Sequence, residues 1–371
     1  MQRQQLLTEW LQGQFPGETF TIAPASADAS FRRYFRATFA DGGSNRPSAP
    51  DGTTSHSTKP PKNGAQVAGY PAPDGSTAPC RGGTLVVMDA PPQHEDCRPF
   101  LHIAKLFEEA GVHVPHVYAQ DLQQGFLLLS DLGNTTYLQA LCANNARELY
   151  GAATDALIRI QLASRENELP PYDETLLLRE MRLFPEWYIA KHLNAALTDK
   201  QHARLEEVFA RIVASNLAQP RVYVHRDYHS RNLMLTEPNP GILDFQDAVY
   251  GPITYDLASL FKDAYVRWEE AEIIDWLIRY WEKARKVGLP VAGDFSAFYR
   301  DYEWMAVQRH LKVLGIFARL YHRDGKNGYL KDLPLVMAYL RAACARYIDL
   351  KPLLNLLDEL EPHGTQGGYT F

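Results

Sequence analysis

A chain of 371 residues, 46% hydrophobic and 22% charged, has the composition of an ordinary globular protein, and its length favours two cores rather than one. The net charge of −6 excludes the strongly basic surface of a nucleic-acid-binding domain, and no apolar run is long enough for a membrane span. Residues 1–15 lack the uninterrupted apolar stretch of a signal peptide. The four cysteines have neither metal-site nor disulfide-framework spacing, so the sequence predicts a cytoplasmic protein.

The first part of the chain predicts a small antiparallel sheet with one or two helices. Apolar residues recur at helical spacing over residues 3–14, and a second helix is predicted over residues 100–110. Short apolar or aromatic runs predict strands over residues 31–39, 84–88, 114–119 and 126–129. We therefore assign residues 1–131 to an N-terminal α/β lobe that binds nucleotide.

Residues 42–83 interrupt this lobe with a stretch that is rich in glycine and proline and has Tyr70 as its only aromatic residue. Such a segment buries too little apolar surface to offset the entropy cost of ordering it. A structureless connection of this length is unusual inside a compact domain. We predict a disordered insertion here, which is either neutral or regulatory.

Helices dominate the rest of the chain. Helical spacing predicts helices over residues 137–164, 174–195, 199–216, 265–287, 294–322 and 333–348. A small antiparallel sheet followed by a mostly helical region is the α+β class. We therefore assign residues 132–371 to a helical C-terminal lobe.

One β unit inside this helical region carries a distinctive set of polar residues. Val222 to Val224 is a short apolar strand that leads into the loop sequence HRDYHSRN. Leu233 to Leu235 is a second apolar run, followed by the turn sequence EPNPG and a strand that ends at Asp244. The spacing therefore predicts a loop and a hairpin that bring Asp227, Asn232 and Asp244 to one end of a small β unit.

These residue types suit phosphoryl transfer. The transition state is loose and highly charged, so catalysis depends on positioning and on neutralising charge. Asp227 is placed to accept the proton of an attacking hydroxyl, while Asn232 and Asp244 offer hard oxygen ligands to Mg²⁺. The loop matches the kinase pattern H-R-D, four residues, N, although the following acidic motif is DFQD rather than DFG.

On these residues, the segment 224–260 resembles the aminoglycoside phosphotransferase superfamily of small-molecule kinases, which are relatives of protein kinases. The superfamily pattern H-x-D-x-x-x-x-N, I-D-x-x-x-A, G-x-x-x-x-D-L-A corresponds to residues 225–232, 243–248 and 251–258. More narrowly, the strings SFRRYFR, VVMDAPP, LLSDLG, LFPEWY and HRDYHSRNLM resemble the kinases that phosphorylate N-acetylmuramate and N-acetylglucosamine at C1 in cell-wall recycling.

This resemblance implies a protein-kinase-like two-lobe fold that uses ATP and Mg²⁺. By it, Asp227 is the catalytic base, while Asn232 and Asp244 hold the metal. We add His229 and Arg231 as candidate catalytic residues, with His229 as a phosphate contact or an ordinary loop histidine. Asp256 is implied to tie the catalytic loop to the following helix, although a helix N-cap is the alternative.

For the nucleotide, the resemblance places adenine against the backbone around Leu129 and Asp131, with the loop ending at Ser30 over the phosphates. The strand at 84–88 lacks the lysine that protein kinases use against the phosphates. Arg32, Arg33 and Arg36 are the candidates for the missing positive charge, and we select Arg32.

We predict that the acceptor is an amino sugar and that the chain is a monomer. We expect no nucleic-acid or membrane partner. Glu180, Glu186 and Trp187 are the candidate acceptor contacts, although a helix surface and core packing explain them equally well. Other small alcohols such as aminoglycosides or choline remain alternatives. A nucleotide-binding pseudokinase scaffold is the second class, because the strand lysine is missing.

Overall fold

The computed structural model describes residues 2–27, 31–40 and 83–361. The chain divides into two compact units, of which the first comprises Met1–Ala104 and Pro115–Leu132 and the second Lys105–Val114 and Gly133–Phe371. The predicted insertion at 42–83 lies outside the described residues, apart from Gly83.

The first unit contains a five-stranded antiparallel sheet with strand order β1-β2-β3-β5-β4. Its elements are α1 (Gln2–Gln14), β1 (Phe20–Ala27), β2 (Arg33–Phe39), β3 (Thr84–Asp89), the beginning of α2 (Arg98–Glu109), β4 (Val117–Asp121) and β5 (Phe126–Ser130). The predicted small antiparallel sheet is therefore confirmed.

One face of this sheet forms a hydrophobic core with α1. Side chains alternate between faces along a strand, so Phe35, Ala37 and Phe39 of β2 share this core. It is completed by Leu7, Leu11, Leu85, Val87, Phe126 and Leu128. Arg36, which lies between two core residues of β2, therefore points to the opposite face.

The second unit is mostly helical and holds two small β pairs. Its elements are α3 (Tyr137–Ala140), α4 (Ala146–Leu162), α5 (Glu174–Met181), α6 (Asp199–Leu217), β6 (Arg221–Val224), β7 (Leu233–Met234), β8 (Gly241–Ile242), β9 (Val249–Pro252), α7 (Tyr255–Phe261), α8 (Glu270–Lys286), α9 (Phe295–Asp324), α10 (Leu333–Arg346) and α11 (Lys351–Leu360). Strand β7 pairs with β8 as the predicted hairpin, and β6 pairs with β9. The predicted α+β class is confirmed.

Two helices that were predicted as continuous are interrupted in the structure, so those two predictions are wrong. The helix expected over 137–164 is broken, because the Asn145 side chain bonds the N–H of Cys142 and the carbonyl of Ala140, each at 2.8 Å. Such local side-chain bonds compete with helical hydrogen bonds. The helix expected over 174–195 ends at Met181 and is followed by the π-helical segment Phe184–His192.

Helix α9 is the longest helix described, with 30 residues, and most of its middle is buried. It packs against the π-helical segment and against α5, α6, α7 and α10. Its interior carries charged residues as well as apolar ones. In the described ranges, no helix is both long enough and apolar enough to cross a bilayer.

Gly315 is the point where α9 comes closest to the segment that precedes the π-helix. A Cβ atom at this position would meet the carbonyl carbon and oxygen of Leu183 at 2.4 and 2.5 Å. Backbone atoms have no rotamer with which to move aside. The crossing therefore requires glycine.

We expect Gly315→Ala to lower the free energy of unfolding by about 1–3 kcal/mol, because the added methyl group overpacks the crossing. Urea unfolding followed by circular dichroism measures this change. Gly151→Ala in α4 is the matched control, since a Cβ there meets nothing within 4 Å and alanine is favoured over glycine in a helix by about 1 kcal/mol. Equal stabilisation by both substitutions would show that the crossing tolerates a side chain.

Candidate active site

The loop between β6 and β7 carries the predicted catalytic residues and is fixed to the hairpin by His225. This side chain is fully buried, its Nε2 donates to the carbonyl of Leu243 at 2.9 Å, and its Nδ1 accepts the N–H of Asp227 at 3.3 Å. Burial lowers the pKa of His225 to about 4, so the ring is neutral and both donates and accepts. It thereby links Asp227 to the strand that leads to Asp244.

Asp256, in the first turn of α7, holds the backbone of the same loop. Its Oδ2 accepts the N–H of His225 at 2.7 Å and its Oδ1 accepts the N–H of Arg226 at 3.0 Å. Burial raises the pKa of Asp256 to about 7. The implied tie between loop and helix is therefore confirmed, whereas the N-cap alternative is wrong because Thr254 occupies that position.

Asp227 is half-buried and surrounded by positive charge. Burial raises its pKa, but Lys312, His229, Arg226 and Arg309 together lower it further, to about 2. The carboxylate therefore stays ionised at any ordinary pH.

Asn232 connects the two predicted carboxylates. Its Nδ2 donates to the main-chain oxygen of Asp227 at 3.0 Å and to Oδ2 of Asp244 at 3.2 Å. Gln246 donates to the other oxygen of Asp244 at 2.7 Å, and Asp244 has the left-handed φ of 61°. The structure thus brings Asp227, Asn232 and Asp244 together.

The donor set at this point fits Mg²⁺. Both Nδ2 hydrogens of Asn232 have protein acceptors, so Oδ1 is the atom with which this side chain would hold a metal ion. Mg²⁺ takes one or two protein oxygens and completes its shell with water and phosphate. Within residues 2–27, 31–40 and 83–361, no cluster of three or more His, Cys, Asp or Glu side chains could hold a metal ion.

His229 and Arg231 both contact the ring of Tyr265. The guanidinium of Arg231 stacks 3.6 Å from the Tyr265 ring centroid, and the His229 ring meets the same tyrosine edge-on at 5.5 Å. Burial lowers the pKa of His229. Between them, Ser230 donates its N–H and its hydroxyl to Asp263 at 3.0 and 2.5 Å. Asp263 is a positioning residue that the sequence did not reveal.

Glu180 lies in a buried network rather than on an open surface. It is 4% exposed and accepts hydrogen bonds from the Arg226 guanidinium, the Tyr172 hydroxyl and Gln308, the last at 3.1 Å. Lys312 forms an ion pair with it at 3.3 Å. These contacts make Glu180 the counter-ion that fixes Arg226, and they give no support to its predicted role as an acceptor contact.

Glu186 and Trp187 lie on the π-helical segment. Glu186 is exposed and lines an open groove of about 450 Å³, whereas Trp187 is half-buried. The groove is also lined by Glu174, Thr175, Leu178, Arg179, Arg182 and Leu183. Glu186 and Glu180, both predicted as acceptor contacts, therefore occupy different surroundings. The acceptor role of Glu186 and Trp187 stays a prediction.

The predicted nucleotide contacts in the first unit have protein neighbours: Asp131 pairs with an arginine, and Leu129 is packed in the sheet. Asp131 accepts two hydrogen bonds from Arg36, at 2.5 and 2.9 Å. Leu129 is buried, and Val86 lies between it and Arg36 in the strand register. Arg36 therefore shares a sheet face with Leu129.

Arg32 forms an ion pair with Glu95 at 3.1 Å. Arg33, another candidate for the missing positive charge, pairs with the buried Asp89. Ser30 lies outside the described residues. The nucleotide-binding roles of Ser30 and Arg32 stay predictions.

Two cations beside Asp227, Lys312 and Arg309, were not predicted from the sequence. Both come from the run QRHLK at residues 308–312, in the middle of α9. Charged residues inside an otherwise apolar helical pattern are the signal that marks them. A buried charge persists only where it has a partner or a function.

Comparison with known proteins places the chain in a family. The sequence pattern of the phosphotransferase enzyme family matches residues 77–293, which is more than half of the chain. The chain belongs to this family. The match includes the catalytic loop and the hairpin described above.

Relatives in this family are similar over nearly the whole chain. An N-acetylmuramate/N-acetylglucosamine kinase from Neisseria meningitidis serogroup B is 46% identical over 100% of both chains. The kinase of the same name from Pseudomonas aeruginosa is 48% identical, over 93% of this chain and 90% of its own. A choline/ethanolamine kinase family protein from Mesorhizobium loti is 11% identical with a TM-score of 0.58, over 96% of this chain and 99% of its own, and shares the fold.

We expect Glu180→Gln to lower the free energy of unfolding by about 3 kcal/mol at pH 7, because it leaves Arg226 and Lys312 without their buried counter-charge. Burial raises the pKa of Glu180, but Lys312 and Arg226 lower it more, so it lies below the ordinary value. The stabilisation is therefore complete above the unfolded-state pKa of about 4.3 and is lost as the pH falls below it.

Urea unfolding of both proteins between pH 7 and pH 3 tests this expectation, and the stability difference should shrink with acid. Glu186→Gln, which changes an exposed glutamate in the same way, is the matched control and should change the free energy of unfolding by less than about 0.5 kcal/mol. A difference that is the same at every pH would contradict the ion-pair account of Glu180.

Proposed function

We propose that the chain is an ATP- and Mg²⁺-dependent kinase that phosphorylates the anomeric C1 hydroxyl of N-acetylmuramate and N-acetylglucosamine. One observation carries the chemistry: Asn232 hydrogen-bonds both the backbone of Asp227 and the carboxylate of Asp244, so a base and two oxygen ligands share one hairpin. The acceptor is supported by the two relatives that are 46% and 48% identical and are named for these sugars.

In this proposal Asp227 is the residue that orients and deprotonates the acceptor hydroxyl. Its carboxylate accepts a hydrogen bond from the C1 hydroxyl, orients that oxygen for in-line attack and takes its proton. Asn232 Oδ1 and the Asp244 carboxylate would hold Mg²⁺, which, when bound with ATP, neutralises charge on the transferred phosphoryl group. His225 and Asp256 keep the loop in the conformation that aims Asp227.

We also propose that the nucleotide binds the first unit at Leu129 and Asp131, with Ser30 and Arg32 toward the phosphates. Strand β3 carries no lysine. Arg36 supports an alternative source of positive charge, because it lies beside Val86 of β3 and is oriented by Asp131. A pair of arginine and aspartate would then replace the usual lysine.

Acceptor identity is tested by offering radiolabelled ATP and Mg²⁺ with N-acetylmuramate, N-acetylglucosamine, choline or kanamycin. We expect label on the two amino sugars, with a phosphorus NMR signal coupled to the anomeric proton. Label on choline or kanamycin alone would assign a different acceptor class. ATP-dependent stabilisation without ADP release for any acceptor would favour a nucleotide-binding scaffold.

Asp227→Asn should lower kcat by several orders of magnitude and leave the affinity for ATP nearly unchanged, because the amide keeps the shape of the side chain but accepts no proton. Steady-state kinetics and calorimetric titration of nucleotide measure the two effects. Asp275→Asn, on the exposed surface of α8, is the control and should retain wild-type kinetics. Near-normal turnover by Asp227→Asn would remove Asp227 as the base.

A further inference from the structure

Arg309 is a buried cation that has no counter-ion among the described residues. It is 3% exposed, and its Nη1 atom is buried without a hydrogen bond. In the described part of the chain, no carboxylate forms an ion pair with it. Since burying an unpaired charge is costly, packing alone does not explain an arginine at this position.

Three other buried polar residues in this part of α9 contact oppositely charged or polar partners. Gln308 and Lys312 contact Glu180, at 3.1 and 3.3 Å. Glu303 pairs with Lys262 at 3.2 Å. Between Glu303 and Lys312, Arg309 is therefore the one buried charged residue that has no ion pair, although Gln308 Oε1 and His310 Nδ1 are also buried without a hydrogen bond.

The position of Arg309 places it beside the catalytic loop. Residues three apart share a helix face, so Arg309 lies next to Lys312. Lys312 is joined through Glu180 to Arg226, the residue before Asp227. Arg309 is also one of the cations whose charge acts on Asp227 and His229.

We propose that Arg309 recognises a carboxylate on the acceptor, namely the lactyl carboxylate that distinguishes N-acetylmuramate from N-acetylglucosamine. This inference rests on the proposed function and adds a specificity-determining residue to it. A guanidinium presents paired donors that match a carboxylate, and the ligand would supply the partner that the fold leaves out. Arg231, stacked on Tyr265, adds positive charge to the same region.

The proposal is tested by measuring the steady-state kinetics of Arg309→Gln with each of the two acceptors. We expect the ratio of kcat/KM for N-acetylmuramate to kcat/KM for N-acetylglucosamine to fall about 10- to 100-fold, the range for one lost charge-assisted interaction. Any effect of the lost charge on Asp227 is common to both acceptors and cancels in this ratio. Arg300→Gln, an exposed arginine on the same helix, is the control and should affect neither acceptor. An equal loss for both sugars would overturn the proposal and assign Arg309 to the transferred phosphoryl group.

Thermal unfolding separates recognition from a structural role. Because an unpaired buried charge is removed, we expect the Tm of Arg309→Gln to equal or exceed that of the wild type. A lower Tm together with equal losses for both acceptors would mean that Arg309 supports the fold.

Calorimetric binding keeps this inference distinguishable from the proposed kinase activity. Wild-type protein should bind N-acetylmuramate more tightly than N-acetylglucosamine, and Arg309→Gln should lose that preference. If the wild type transfers no phosphate to either sugar but shows this preference, the kinase proposal fails and the assignment of Arg309 stands. The absence of any preference in the wild type would overturn the assignment.

Discussion

Two hydrogen bonds that consecutive backbone N–H groups donate to the Asp256 carboxylate are the constraint on which the loop between β6 and β7 depends. They hold Arg226 at a φ of 75°, a left-handed conformation that a residue with a side chain seldom adopts. The turn made there separates the buried His225 from the half-buried Asp227. Without that turn, the carboxylate would not project from the loop while the imidazole stays inside.

The charges around this turn are balanced across elements that are distant in sequence. Glu180 of α5 forms ion pairs with both Arg226 of the loop and Lys312 of α9. Buried ion pairs add little net stability compared with apolar packing, but they allow few alternative geometries. Their contribution here is to specify one position for the loop, and the surplus of positive charge keeps Asp227 ionised.

The sequence predicts what depends on local spacing and misses what depends on distant partners. The hairpin and the meeting of Asp227, Asn232 and Asp244 follow from strand and turn signals within about 20 residues. By contrast, Glu180 reads as an ordinary helix-surface acid, because its partners come from three separate segments. The break before α4 and the π-helical segment are also settled by side-chain and tertiary contacts rather than by periodicity.

At Gly315, which has no side chain, two parts of the second unit pack directly against each other. With no side chain between them, α9 and the chain at Leu183 meet atom to atom, and no rotamer change can absorb a shift of either one. Lys312 lies about one helical turn away, and the segment that follows Leu183 leads to Trp187. A displacement of the groove-lining segment would therefore be transmitted to α9 and to Lys312, which forms an ion pair with Glu180.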